Sequence, residues 1–207
     1  MASAELRWVH EPEHPSGVVL VMHGGKSRSR MPSRWWNLPV LRMVPFAKAV
    51  AEADNDLAVV MLRFAVRGWN GADASPVADA ELALEQVAAR HPGVPVGLLG
   101  YSMGGRTALH LADDERVRAV VALAPWVEAG DRPRGHRGLR LLVLHGTRDR
   151  WTSPVASRAM AEAMAARGVD ATWRPVEGDT HPMLRRAAFW HRESAAFLAA
   201  HVPAALG

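Results

Sequence analysis

Residues 94–105 read Val94-Pro95-Val96-Gly97-Leu98-Leu99-Gly100-Tyr101-Ser102-Met103-Gly104-Gly105. The apolar run Val94 to Gly100 has the length and composition of a buried strand, and a helical pattern opens near Gly104 and continues to Ala112. A strand that turns directly into a helix here must bend sharply at Ser102. Such a turn forces the serine into a strained backbone conformation, and the glycines two before and two after it remove side chains that would collide across the bend. Ser102 would then stand at the carboxyl edge of a sheet, beside a helix N-terminus whose free N–H groups and dipole favour negative charge. Taken alone, the hexapeptide also suits an ordinary glycine-rich strand–helix turn, so the rest of the chain decides between the two.

Working outward, short apolar runs alternate with stretches of helical periodicity, the pattern of a mostly parallel sheet with helices on both faces. The runs are Val18 to Met22, Leu57 to Phe64, Val94 to Gly100, Val117 to Ala124 and Leu139 to His145, with a more polar, edge-like Ala171 to Val176 and a short Leu6 to Val9. Helices are expected over Phe46 to Ala53, Val77 to Arg90, Gly104 to Ala112, Pro154 to Arg167 and Ala187 to His201. About six or seven strands result, in an α/β architecture expected to be one domain over residues 1–207. Two long connections, Lys26 to Val44 and Val127 to Gly138, lack periodicity, and long irregular connections often carry function.

Composition narrows the chemistry. The chain has 207 residues, 49% of them hydrophobic and 22% charged, so it can bury a sizeable core. No apolar run approaches the roughly 18 residues that span a bilayer, and the first residues are too polar for a secretory signal. Zero cysteines exclude disulfides, thiolate catalysis and cysteine-ligated metal sites, and favour the cytoplasm. Lys and Arg total 25, and only Lys26 and Lys48 are lysine; the net charge is a modest +4. With one tyrosine and no cysteine to titrate, a small basic excess carries the isoelectric point to about 10.5, which is weak support for nucleic-acid binding.

A serine is a poor nucleophile at neutral pH unless a base takes its proton and an acid orients that base. Two candidates stand at later strand ends. The run Leu139 to His145 is followed by Gly146-Thr147-Arg148-Asp149-Arg150, and the next by Gly178-Asp179-Thr180-His181-Pro182. Asp179, two residues from His181, rivals Asp149 as the orienting acid.

The order Ser102, Asp149, His181 is similar to that of the α/β-hydrolases, and the resemblance runs over essentially the whole chain. It includes His23-Gly24-Gly25, Arg63-Phe64-x-x-Arg67-Gly68, the G-x-S-x-G-G and H-G-x-x-D blocks and the final G-D-x-H. The pattern resembles small, lidless serine esterases and dienelactone-hydrolase-like proteins, although the latter usually carry a cysteine nucleophile. The resemblance implies Ser102 as nucleophile, His181 as general base and then acid, and Asp149 as the residue that orients the imidazole. It assigns oxyanion donors to the Met103 and Gly25 N–H groups, with Lys26 in reserve if the turn is shifted by one. His23 and His145 are read as structural, and no cofactor or metal is implied.

Many members of that superfamily insert a helical lid after the strand corresponding to Val117 to Ala124. Here only Val127 to Gly138 separates it from the next strand, so no cap is expected. Lys26, Trp35, Trp36, Trp126 and Trp151 are the candidate pocket residues, Trp69 also following a strand end. Two arginine groups, Arg28, Arg30 and Arg34, and Arg132, Arg134, Arg137 and Arg140, could flank the mouth and attract an anionic substrate. The resulting expectation is a serine hydrolase of carboxylic esters or thioesters of a small soluble molecule, with neither nucleic acid nor membrane as partner. The alternative is a noncatalytic scaffold that kept the fold.

Overall fold

Consecutive residues of a strand point to opposite faces of a sheet, so a strand that is apolar throughout is covered on both sides. Val18, Leu20 and Met22 enter one buried cluster and Val19 and Val21 the other. The structure, a computed structural model, describes residues 2–203 and has one seven-stranded sheet between those two clusters.

In chain order the strands are β1 (Glu5–His10), β2 (Gly17–Met22), β3 (Leu57–Arg63), β4 (Val96–Tyr101), β5 (Val117–Leu123), β6 (Arg140–Gly146) and β7 (Asp170–Val176). The helices are α1 (Leu38–Leu41), α2 (Val44–Ala53), α3 (Ser75–Arg90), α4 (Met103–His110), α5 (Pro154–Ala165) and α6 (Ala187–His201). Strand order across the sheet is β1-β3-β2-β4-β5-β6-β7; β1 runs antiparallel to β3 and every other pair is parallel. Residues of α3, α4 and α5 fill one cluster, and residues of α2 and α6 the other. The short helix α1 and a single turn of tighter helix at Gly71–Asp73 lie inside or beside segments expected to be irregular.

The chain passes from β2 to β3 on one side and then crosses back, so that β4 lies on the other side of β2. Helices leave these two neighbouring strand ends in opposite directions, which opens a crevice at the carboxyl edge. His23 follows β2 there and Ser102 follows β4.

The connection from β5 to β6 contains no helix. It is tied down from below by Arg106 of α4, whose Nη2 donates to Asp131 Oδ1 at 2.7 Å and meets Glu128 at 3.2 Å. His110 Nε2 meets the same Asp131 oxygen at 3.1 Å, and the Glu128 N–H donates to its second oxygen. The Arg106 guanidinium lies 4.0 Å from the Trp69 ring centre and 4.6 Å from that of Trp126, so its unbonded Nη1 faces indole rings.

Burial alone would raise the Asp131 carboxyl, but the bonds from His110, Arg106 and the Glu128 N–H outweigh it and bring it down to about 2. The unfolded chain therefore takes up this proton near pH 3.8 and the native chain only near 2. The stabilisation is complete above about pH 4 and is lost as pH falls through about 2, amounting to about 2 kcal/mol. In chemical denaturation, Asp131→Asn is expected to lower stability at pH 7 and to flatten the wild type's decline below pH 4; an unchanged decline would show that the ion pair does not act.

Candidate active site

Ser102 has φ 54° and ψ −110°, a conformation rarely adopted by a residue with a side chain. Several main-chain bonds hold it there. Its N–H donates to Leu123 O at 2.9 Å on β5, while its carbonyl accepts from Arg106 N at 3.0 Å and Trp126 N at 3.2 Å. A side chain on Gly104 would come within 2.6 Å of Met22 O and 2.7 Å of His23 O, so only glycine lets α4 start against the end of β2. The elbow thus rests on contacts from β2, β5, α4 and the β5–β6 connection.

His181 follows β7 and lies 4% exposed, its Nε2 at 3.0 Å from Ser102 Oγ. Its Nδ1 is 2.7 Å from Asp149 Oδ2. A carboxylate only accepts, so Nδ1–H donates to Asp149, leaving Nε2 to accept from the Ser102 hydroxyl. The imidazole is flanked by Tyr101 and Trp151, with ring centres 5.1 and 5.2 Å away. Burial pushes the Tyr101 phenol up to about 12, so it remains protonated beside the triad.

The Asp149 side chain is fully buried and receives more than the imidazole. Trp151 N and Thr152 N donate to Oδ1 at 2.8 and 3.0 Å, and Thr152 Oγ1 donates to Oδ2 at 2.9 Å. His145 Nε2 lies 3.2 Å from the same oxygen, and its Nδ1 is 2.7 Å from Ser157 Oγ, which accepts from Trp173 Nε1 at 3.1 Å. Burial would raise the Asp149 carboxyl; the bonds from His145, His181 and the Thr152 N–H overcome it and hold the group far below the ordinary carboxylate range. His145 is thus more than a strand terminus. Neither it nor Thr152 stood out in the sequence as a neighbour of the acid, although Thr152 follows Asp149 by three residues, a spacing at which a short loop can return a side chain to its start.

Asp179, the rival acid, points elsewhere. Its carboxylate accepts from Thr180 N at 2.7 Å, Arg186 N at 3.0 Å and Trp190 Nε1 at 2.8 Å, fixing the start of α6 and the loop that carries His181.

At the end of β2, a Cβ on Gly25 would lie 2.5 Å from Arg67 O and 2.5 Å from Met103 Sδ, so the turn packs directly on the residue after the nucleophile. Lys26, the reserve oxyanion donor, is already engaged: its N–H donates to Arg67 O at 2.8 Å. Its side chain lines a cavity of about 300 Å³ with Gly25, Leu38 and Pro39. Among the described residues, no backbone or side-chain acceptor engages the Gly25 and Met103 N–H groups.

The other candidate pocket residues separate. Trp151 is 74% exposed and covers His181, whereas Trp126 packs edge-on to Trp69 behind the elbow. Trp35 turns to the far edge of the sheet, donating to Glu5 and stacking under Arg7, and Trp36 stands in solvent near Arg34. Three members of the two arginine groups are paired with carboxylates. Arg140 begins β6 and pairs with Asp170, and Arg134 pairs with Asp113, both at the amino edge of the sheet; Arg30 pairs with Asp73 beside a separate cavity. Among the described residues, no cluster of three or more His, Asp or Glu side chains could hold a metal ion.

His23 is buried, with Nδ1 donating to Gly24 O at 2.7 Å and Nε2 accepting from Phe64 N at 3.2 Å. Burial pushes this imidazole down to about 4, from an ordinary 6.5. The unfolded chain gains a proton through the upper end of that range and the native chain through the lower end. Stability is therefore full above pH 6.5 and falls as pH drops toward 4, by up to about 3 kcal/mol. His23→Asn, which keeps an N–H for Gly24 O, is expected to show little of that decline in denaturation at pH 7 and pH 4.5; an equal decline in both proteins would count against His23 as its source.

Residues 66–139, less than half of the chain, match the family model for serine aminopeptidase, S33. No curated protein sequence matches the chain. Among solved structures, it is similar to a putative alpha/beta hydrolase of unknown function from Agrobacterium tumefaciens, at 16% identity and TM-score 0.73, over 95% of this chain and 90% of that one. Est1E from Butyrivibrio proteoclasticus, with ferulic acid bound, aligns at 13% identity and TM-score 0.69, over 96% and 95%. A serine hydrolase without a lid from Xanthomonas campestris aligns at 18% identity and TM-score 0.66, over 97% and 89%. In sheet order, strained elbow and helix-free β5–β6 connection, this chain has the α/β-hydrolase fold in its lidless form.

Proposed function

We propose that the protein is a serine hydrolase that cleaves carboxylic ester or thioester bonds of a small molecule through an acyl-enzyme. The observation that carries this reading is the unbroken hydrogen-bonded series from Ser102 Oγ through His181 to a buried, ionised Asp149. In the proposed reaction Ser102 Oγ attacks the acyl carbon as its proton passes to His181 Nε2. The imidazolium formed is stabilised by Asp149 and by the flanking faces of Tyr101 and Trp151. The oxyanion takes the N–H groups of Met103 and Gly25, which already lie beside the elbow. Preorganised donors of this kind are worth roughly 3 to 4 kcal/mol each when removed.

His181 then returns its proton to the leaving oxygen or sulfur, and the acyl–heteroatom bond breaks. A water, deprotonated by the same nitrogen, releases the acid and regenerates Ser102. The open site, with only a short irregular segment between β5 and β6, suits a substrate that enters from solvent. A fold relative that binds ferulic acid, itself a carboxylic acid, supports a carboxylic acid product. The cysteine-free sequence supports the cytoplasm as the compartment.

A fluorophosphonate probe is expected to label the wild type and fail on Ser102→Ala. Asp149→Asn should retain the fold and lose about 10⁴-fold in kcat/KM on an activated ester, the scale seen when a triad acid can no longer hold the imidazole in its working tautomer. A wild type that takes no label would mark the protein as a scaffold that kept the fold without the chemistry.

A further inference from the structure

A cavity of about 420 Å³ opens on the His181 side of the nucleophile, lined by His181, Thr180, Trp151, Arg148, Arg150 and Arg185. Three guanidinium groups around one cavity require explanation, because like charges repel. Arg30, Arg63, Arg90, Arg106, Arg116, Arg134, Arg140, Arg158, Arg174 and Arg192 each meet a carboxylate, whereas Arg148, Arg150 and Arg185 meet none among the described residues. Three acids lie close by in sequence; Glu177 accepts from Thr147 Oγ1 at 3.3 Å, and the side chains of the other two are buried. Asp149 is buried under its five hydrogen bonds, and Asp179 is buried at the start of α6.

The position of this charge relative to the chemistry matters. In acyl transfer the histidine protonates the departing heteroatom, so the leaving group lies on the histidine side of the serine, while the acyl group stays bonded to Ser102 Oγ beside the oxyanion turn. The cavity at Gly25 has Leu38 and Pro39 in its wall beside Lys26 and Arg67, whose Nε donates to Pro32 O, and the cavity at His181 has three cations without a carboxylate partner and an exposed indole. Positive charge is therefore densest on the His181 side of the nucleophile.

Resting on the serine-hydrolase reading above, we infer that the preferred substrate is an ester or thioester whose leaving group is anionic, a carboxylate- or phosphate-bearing alcohol or thiol seated against Trp151 and the guanidinium groups of Arg148, Arg150 and Arg185. Guanidinium forks match both anions by paired N–H donation. The acyl–oxygen or acyl–sulfur bond breaks, the Ser102 Oγ–carbon bond forms, and the proton carried by His181 Nε2 goes to the leaving heteroatom. The released alcohol or thiol keeps its anionic group, and water later takes the acyl carbon.

The test compares 4-acetoxybenzoate with its methyl ester, which share an acyl group and differ in leaving-group charge, and adds 4-acetoxyphenyl phosphate as the phosphate arm. At low salt, kcat/KM for at least one anionic ester should exceed that for the methyl ester by about tenfold, and the ratio should shrink as salt rises. The arm with the larger ratio identifies the anion. The double variant Arg150→Gln/Arg185→Gln should bring the ratio close to one through KM, whereas Arg140→Gln, at the opposite edge of the sheet, should leave it intact. A wild-type ratio near one in an enzyme whose Ser102 takes the fluorophosphonate overturns this inference and leaves the hydrolase reading standing. Failure to label overturns the hydrolase reading itself. A preference instead for charge on the acyl side, read from 4-nitrophenyl hydrogen succinate against its methyl ester, also overturns the inference, as does loss of the ratio in Arg140→Gln.

Discussion

The Ser102 backbone, at φ 54° and ψ −110°, is the constraint from which the rest of the site follows. Such a conformation costs of order 1–3 kcal/mol and persists only where surrounding structure leaves no alternative. Here β5 accepts the Ser102 N–H, α4 and the β5–β6 connection both donate to its carbonyl, and the end of β2 presses on Gly104. The same contacts aim the N-terminus of α4 and bring Gly25 onto Met103. Strain at one residue and the position of the proposed oxyanion donors are therefore two results of a single close approach between β2, β4 and α4.

A second fixed point is Asp149. A buried carboxylate without partners would be driven toward its neutral form, and a neutral acid could not favour the imidazolium. Donors from Thr152, His145 and two main-chain N–H groups keep it ionised and hold both oxygens in place, so His181 is oriented by an acid that is itself immobile. Behind this hub, Ser157 and Trp173 steady His145, carrying the support from the loop after β6 into α5 and β7. The Arg106–Asp131 pair does comparable work below the elbow, fastening the segment that stands where a lid could be inserted.

Much of the fold was legible because its signals are local. All seven strands lie within a few residues of the runs read from apolar content, and α6 spans Ala187–His201 as its periodicity indicates. The short α1 was not legible: four residues are too few to display a period, and its turn forms just past a segment pinned by the Lys26–Gly68 and Pro32–Val66 bridges. The surroundings of the tryptophans were not legible for a related reason. Trp35 and Trp36 lie in the long connection after β2 and Trp126 follows the end of β5, yet a strand end has several sides: Trp35 lies under Arg7 of β1, Trp36 is exposed and Trp126 faces Arg106.

What the sequence determined by itself is the elbow and the order of the three residues that meet at it, since the glycine spacing around Ser102 is a steric requirement written within six positions. What only the tertiary structure decided is which groups of equal chemistry face the site. Asp149 and Asp179 are both acids near His181, and the folded loops turn one to Nδ1 and the other to α6. Arg140 and Arg148 are eight positions apart, but seven residues of β6 put them at opposite edges of the sheet, roughly 20 Å from each other at the rise of a strand. Sequence proximity measures distance along the chain, while charge acts through space, so only the folded sheet distinguishes an arginine beside His181 from one paired at the far edge.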